Sequence, residues 1–421
     1  VNFTTASLRD PNILRVLQAA FDAADPARAV QNFLRDHPLP RADRVFVFGL
    51  GKASLSMARS LTDLPRPTDS LLIAKHASPL DNWPGEVLSG DHPIPGPASL
   101  AAAQAARNFL SRLTPDDLLL CLISGGGSAL LAAPIIPLEE LQSLTSHLLA
   151  SGATIDEINT IRRHLDSLKG GGLAQLANGA RILSLILSDV VGDALHTIAS
   201  GPTAPDPTTI EDAARVVGRI SNPPHAGRIS NSTYKFRETI KPGDPIFTRV
   251  RNHIIASNDL ALRAAKEQAE VEGFHAEIIE SGLQGEAREI GKRLAEQLKE
   301  AGVNRPRPFC LLAGGETTVT LRGEGRGGRN QELALGAVDA LRGVENVLLI
   351  SIATDGEDGP SDAAGAVVTG ETAARAESLG MSAPDYLSRN DAYSFFEGLG
   401  DLVKTGPSGT NVNDVVLMVG F

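Results

Sequence analysis

Short, almost wholly apolar runs alternate with amphipathic stretches along most of this chain. That alternation constrains its fold more than any other feature. LLLCLI at 118–123 and VLLISIA at 347–353 are typical of the runs. A strand of this kind has no polar face to offer water, so it belongs inside a sheet covered on both sides. Helical stretches between such runs point to βαβ units and α/β architecture with mostly parallel sheets. Strands are expected at 44–49, 71–74, 118–123, 181–187, 253–256, 276–280, 309–312, 317–321, 347–353 and 414–419. Residues 221–245, rich in Pro, Asn, Ser and Gly, read as a junction. The expected organisation is two α/β domains, 1–243 and 244–421, with ligand bound in the cleft between them.

Composition narrows the function. The chain has 421 residues and a net charge of −11. That length carries two to three domains. The acidic balance argues against a dedicated nucleic-acid binder, which shows a basic face. No apolar stretch reaches eighteen residues, so no membrane span is expected. The opening VNFTTASLRDPNILRV has no basic segment followed by an apolar core, so no signal peptide is expected either. Cys121 and Cys310 both lie in apolar runs and read as core residues, not as redox or metal groups. These features favour a cytoplasmic enzyme acting on small molecules, without nucleic acid or membrane as a partner, and leave room for a homo-oligomer.

Several strands run into polar or glycine-rich segments: FGLGKAS, ISGGGSALL, LSDVVGD, AGGETTV and ATDGEDGPSDAAG. Loops of this kind at strand ends form ligand sites in α/β sheets. Gly51 and Lys52 open a helix after a glycine turn, where the helix dipole disfavours a lysine unless an anion is present. Ser124, Gly125, Gly126, Gly127 and Ser128 form an anion-cradling loop. A second glycine-dense loop, with Gly325, Gly327 and Gly328, leads into a helix and presents Arg326 and Arg329. Glycines let backbone N–H groups approach a ligand, and arginine offers a fork of donors for phosphate or carboxylate. Arg162 and Lys169 are candidates for a substrate carboxylate, and Asn258 joins the binding candidates. Asp189 and Asp355 each directly follow a strand end. Oxygen-rich loops suit Mg²⁺, for which Asp355 and Glu316 are the candidate ligands. The pattern implies handling of a small, highly charged substrate, in particular a phosphoryl group.

Nicotinamide binding finds less support. Gly49-Leu50-Gly51 begins a dinucleotide fingerprint, but Ser54 stands at its third glycine. The next strand ends in Lys75-His76, not in a ribose-binding acid. Neither a Walker A sequence nor GxSxG occurs.

Together, VFGLGKAS, GDHPIPGPAS, LISGGGSALL, NTIRRHLDSLKGGGLA, LSDVVGD with ASGPT, GGETTVTLRGEGRGGRNQELAL and ATDGEDGPSDAAGAVV resemble the type II glycerate kinases. The resemblance spans nearly the whole chain. It implies an N-terminal Rossmann-like domain and a C-terminal α/β domain containing the MOFRL region, about 307–421. It further implies ATP-dependent phosphorylation of the 2-hydroxyl of D-glycerate, in the cleft between domains. Lys52 and Arg329 are the residues it marks as catalytic, with Asp189 a third. The phosphoryl reading expects Lys52 and Arg329 to neutralise the transferring group, Asp189 to orient or deprotonate the hydroxyl, and Mg²⁺ to accompany ATP. Two alternatives stay open: an NAD(P)H-dependent hydroxypyruvate reductase, with His76 or His92 as its acid/base, and a non-catalytic nucleotide or acid-sugar binder.

Overall fold

The computed structural model describes residues 1–63, 66–220 and 234–421. Most of the 221–245 junction lies outside these. The described chain divides into two compact units, one of residues 30–255 and the other of residues 1–29 with 256–421. This differs from the division expected at 243/244. The helix Pro11–Ala24 buries Ile13, Val16, Leu17 and Ala20 and packs on the helix Asn258–Val271, which takes the N-terminal residues into the second unit. Among the described residues, no helix is long and apolar enough to cross a membrane.

The 30–255 unit is built on six strands: β1 (Val45–Leu50), β2 (Asp69–Ala74), β3 (Glu86–Ser89), β4 (Leu118–Ile123), β5 (Arg181–Leu187) and β6 (Val250–Ala256). Their order is β3-β2-β1-β4-β5-β6, that of a Rossmann sheet. The pairs β3–β2, β2–β1, β1–β4 and β4–β5 are parallel. β4 is buried at every position, as an interior parallel strand must be. The register sets Leu50 beside Ile123, so β1 and β4 end together. The chain order reverses between these two strands, and there an α/β sheet opens a crevice for ligands.

The other unit carries β7 (His275–Leu283), β8 (Phe309–Gly315), β9 (Val347–Ala353), β10 (Gly365–Thr369), β11 (Leu402–Val403) and β12 (Asp414–Gly420). Its order is β11-β10-β9-β12-β8-β7. Here the expectation of mostly parallel pairing fails. β7 and β8 are parallel, but β12 lies antiparallel between β8 and β9, and β10 and β11 add further antiparallel pairs. The helical connections do make β7, β8 and β9 run the same way. The last strand then inserts between two of them, a choice local patterning does not encode. Residues 317–321, expected as a strand, form only an isolated bridge from Thr318 to Glu286. Cys121 and Cys310 are core residues, as expected. Burial pushes each thiol up to about 12.

The helix Ala287–Asn304 packs closely on the helix Arg329–Ala337 through glycine. A Cβ at Gly291 would overlap the Leu333 carbonyl, and one at Gly336 would overlap that of Arg288. Alanine in a helix gains about 1 kcal/mol over glycine in propensity. Overpacking against rigid backbone costs about 1–3 kcal/mol. Gly291→Ala is therefore expected to lower stability in urea unfolding, against its propensity. A midpoint raised by the substitution would show that the two helices can separate freely.

Candidate active site

In the 30–255 unit, the loops after β1 and β4 are fastened to each other. Ser124 N–H donates to the Leu50 carbonyl (2.9 Å), and Lys52 N–H donates to that of Gly125 (3.0 Å). Ser124 Oγ accepts from Ala53 N–H at 2.9 Å. Gly51, at φ +120°, lets the first loop pass over Ser124, whose hydroxyl and carbonyl a Cβ would strike. Gly126 turns the second loop with φ +81°, a left-handed conformation that costs glycine little.

The backbone N–H groups of Gly125, Gly126, Gly127 and Ser128 donate to no described residue. Successive unspent amides around a left-handed turn make an anion nest. Three side chains surround it. The Asp189 carboxylate lies against Gly125, where a Cβ would overlap it. The Lys52 stem and the His92 ring lie against Gly126, 3.2 and 3.3 Å from the Cβ position. Lys52 is exposed, and among the described residues its ammonium has no hydrogen bond or ion pair. Burial raises the Asp189 pKa, while its own backbone N–H and then the Lys52 charge pull it down; the net shift is upward. His92 is pushed down by burial, then by Lys52 and Lys75. Among the described residues, the nest thus carries a cation without an ion pair, a carboxylate inclined to take a proton, and an imidazole inclined to stay neutral.

A strained turn backs the nest. Ala199, Ser200 and Gly201 are successive left-handed residues (φ 50°, 59° and 61°), at about 1–2 kcal/mol for each non-glycine. The turn brings Ser200 Oγ to 2.7 Å from Ser128 Oγ. It also seats Ala199 against Gly127, where a Cβ would lie 2.8 Å from its methyl group. Ser128 is thereby a bonded wall of the nest.

Arg162 and Lys169 separate in role. Lys169 is buried and donates to Asp166 and to the Leu131 carbonyl, each at 2.7 Å. That interior ion pair occupies the ammonium that was expected at a substrate. Arg162 is half-buried, has no hydrogen bond or ion pair among the described residues, and is held below its ordinary pKa by burial. It remains an unmatched cation.

The other unit gathers a second set of groups around Arg329, the first residue of the helix Arg329–Ala337. Its Nε and Nη2 grip both oxygens of Asp414 (2.6 and 3.0 Å), and Nη1 donates to Glu316 at 2.8 Å. Burial opposes the Arg329 charge, but the Asp414 bond and then the charges of Asp414, Glu316 and Asp358 outweigh it, so its pKa rises. Asp414 is buried, which raises its own pKa against the pull of Arg329. Asp355 is raised by burial, with Asp414 adding to the shift and its bond from Glu357 N–H opposing it. Asp414 starts β12, the strand inserted between β8 and β9, and the sequence reading assigned it no role.

Two of the expected binding elements in this unit have partners within it. Part of the 323–328 loop is engaged by the protein. Gly323 and Gly325 donate to Asn390 Oδ1 and the Arg389 carbonyl, and Arg326 N–H reaches Asp391 (3.0, 2.9 and 3.3 Å). Among the described residues, the amides of Glu324, Gly327 and Gly328 have no acceptor. Asp358 occupies the helix start itself, accepting from the N–H groups of Asn330 (3.1 Å) and Gln331 (2.9 Å), and burial first of all raises its pKa to about 6. Asn258, expected at the ligand, spends its amide on the carbonyls of Val412 (2.9 Å) and Asp414 (2.8 Å). It braces the strand that carries Asp414. Among the described residues, no group of three or more His, Cys, Asp or Glu side chains is arranged to hold a metal ion.

Known proteins match this chain over nearly its whole length. Residues 12–227 match a domain of unknown function, DUF4147, and residues 309–414 match the MOFRL family. The chain is 39% identical over 414 residues to a D-glycerate 2-kinase of Thermotoga maritima, covering 96% of each. It is 37% identical to the human glycerate kinase, covering 91% of this chain and 86% of that one. A putative hydroxypyruvate reductase of Agrobacterium vitis is 40% identical, over 95% of this chain and 92% of its own. The crystal structure of the Thermotoga maritima glycerate kinase superposes with a TM-score of 0.88 at 38% identity, covering 97% of this chain and 99% of that one. Fold and matches define an enzyme of the kinase class. The chain belongs to the glycerate 2-kinase family.

Gly125 makes the nest testable. Alanine there must displace either the loop or the Asp189 carboxylate. Misplacing a reacting group by about 1 Å costs roughly 10²-fold in rate. Gly125→Ala is expected to lose at least that factor in kcat while circular dichroism stays unchanged. Retention of wild-type kcat would remove the Gly125–Asp189 contact from the working site.

Proposed function

We propose that this protein transfers the γ-phosphoryl group of ATP to the 2-hydroxyl of D-glycerate, releasing ADP and 2-phosphoglycerate. The observation that carries the reading is the set of unspent donors beyond β1 and β4: the Gly125–Ser128 amides and the Lys52 ammonium, with Asp189 beside them. The names of the relatives supply glycerate as the acceptor class.

In this reading the hydroxyl oxygen bonds to the γ-phosphorus as the bond to ADP breaks, and the hydroxyl proton passes to Asp189. A carboxylate with a raised pKa accepts that proton more readily than an ordinary one. Lys52 and the nest amides stabilise the charge that spreads over the phosphoryl oxygens. Arg162 is the available partner for the glycerate carboxylate. Arg329 acts as a second charge stabiliser. Asp414 holds one edge of its fork, while the exposed Glu316 is the partner that can give way.

Asp355 and Glu316 would hold Mg²⁺. Glu316, Asp355 and Asp414 outnumber Arg329 in their cluster, and Mg²⁺ needs only one or two carboxylates beside substrate phosphate oxygens. When bound, the ion would neutralise phosphate charge.

Incubation with D-glycerate, ATP and Mg²⁺, followed by enolase alone, should yield phosphoenolpyruvate. Glycerate-dependent ADP without that signal would overturn the 2-hydroxyl assignment. NADH oxidation by hydroxypyruvate, with neither signal, would favour the reductase. Arg329→Ala should lower kcat by at least ~10²-fold, the scale of one preorganised charge stabiliser. Asp414→Asn should fall in the same direction, because it loosens the fork. A folded Arg329→Ala protein of near wild-type kcat would end the role.

A further inference from the structure

The 30–255 unit has a second basic site, at the opposite ends of the strands from the nest. A groove of about 560 Å³ opens beside Leu118 and Arg181, the first residues of β4 and β5. The nest follows the carboxyl end of β4, so the two sites lie on opposite edges of one sheet.

The lining is unusual for this chain. The protein has 39 Lys and Arg against 50 Asp and Glu, yet among the described residues no acidic side chain lines this groove, while Arg181, Arg249 and Arg251 do. None of these arginines has a carboxylate partner among the described residues. Arg181 and Arg249 are instead anchored by single donations to the backbone carbonyls of Arg41 and Gly179, both 2.6 Å. Each keeps further N–H donors unspent. Arg251 is exposed and has no hydrogen bond or ion pair among the described residues. Rings and prolines supply a further part of the lining. Phe33 stacks on His37 with ring centroids 4.6 Å apart and meets His253 at 4.8 Å. Pro38, Pro40 and Pro115 complete it.

Unpaired guanidiniums anchored by backbone suit phosphate oxygens, because their fork is already oriented. A wall of rings and prolines suits a planar group, and two histidines in it add polar edges. We infer that this groove is a second nucleotide site, in which Arg181, Arg249 and Arg251 take the phosphates of a nucleoside di- or triphosphate and the ring wall takes its base. Its distance along the strands from the nest sets it apart from the proposed catalytic site. The inference does not depend on which hydroxyl of the acceptor is phosphorylated.

The test is ADP binding by equilibrium dialysis to the full chain and to two variants. Arg251→Ala removes an exposed side chain with no hydrogen bond or ion pair among the described residues, so it leaves the fold intact. Arg249→Ala combined with Arg251→Ala removes two of the phosphate ligands. The wild type should bind two ADP per chain. The double variant should bind one with unchanged affinity and the other at least ~30-fold more weakly, the scale of losing charge-assisted bonds. Arg251→Ala should lie between. Inorganic pyrophosphate should displace the arginine-dependent ADP, whereas adenosine alone should bind there more weakly than ADP. Turnover with both substrates saturating should survive both substitutions. ADP binding that is the same in all three proteins, or displacement by adenosine but not by pyrophosphate, would overturn the inference. So would loss of turnover in parallel with loss of binding, because the arginines would then belong to catalysis.

Discussion

The parallel pairing of β1 with β4 is the constraint on which the 30–255 site depends. Because Leu50 and Ile123 are neighbours, the chain must leave both strands at the same height. The two departing loops then compete for one space. Glycine resolves the competition at Gly51, and hydrogen bonds from Ser124, Lys52 and Ala53 lock the result. With that contact made, the Gly125–Ser128 amides have no acceptor among the described residues. Unpaired amides are tolerable beside solvent or an anion and costly elsewhere. The strained turn at Ala199 and Ser200 holds the far side of the nest, so backbone strain is spent where the wall must not move.

In the other unit the corresponding constraint is electrostatic. Asp414 is almost wholly buried, and a buried carboxylate costs several kcal/mol unless it is paired and hydrogen-bonded. The Arg329 fork meets both of its oxygens. Neither group is secure alone, so each fixes the other. The same pair ties the start of a helix to the start of an inserted strand. Asn258 and Asp358 extend the brace on either side, one on the strand backbone and one at the helix start.

Much of this was legible from patterning. The strands 118–123, 181–187 and 347–353 were read at their observed limits, because fully apolar runs bounded by turn residues admit few other placements. Lys52, Asp189 and the 124–128 loop were singled out for directly following strand ends, and the structure does bring them together. The differences share a cause. Lys169 looked like a cation available to a substrate carboxylate, because its partner Asp166 is visible only once the turn folds. The 323–328 loop looked like a cradle, but the amides of Gly323, Gly325 and Arg326 are met by Asn390, Arg389 and Asp391, more than sixty residues later in the chain. Asp414 had no local signal at all, being a polar residue at the head of an apolar strand.

The sequence by itself therefore determined the α/β class, the strands and the loops able to face a ligand, because periodicity and glycine placement are local properties. It also determined the family, through motifs spread over the whole chain. Only the tertiary structure decided which donors remain free. Whether an amide, lysine or arginine is spent depends on partners distant in sequence, and a single inserted strand, β12, brings Asp414 to Arg329 across 85 residues.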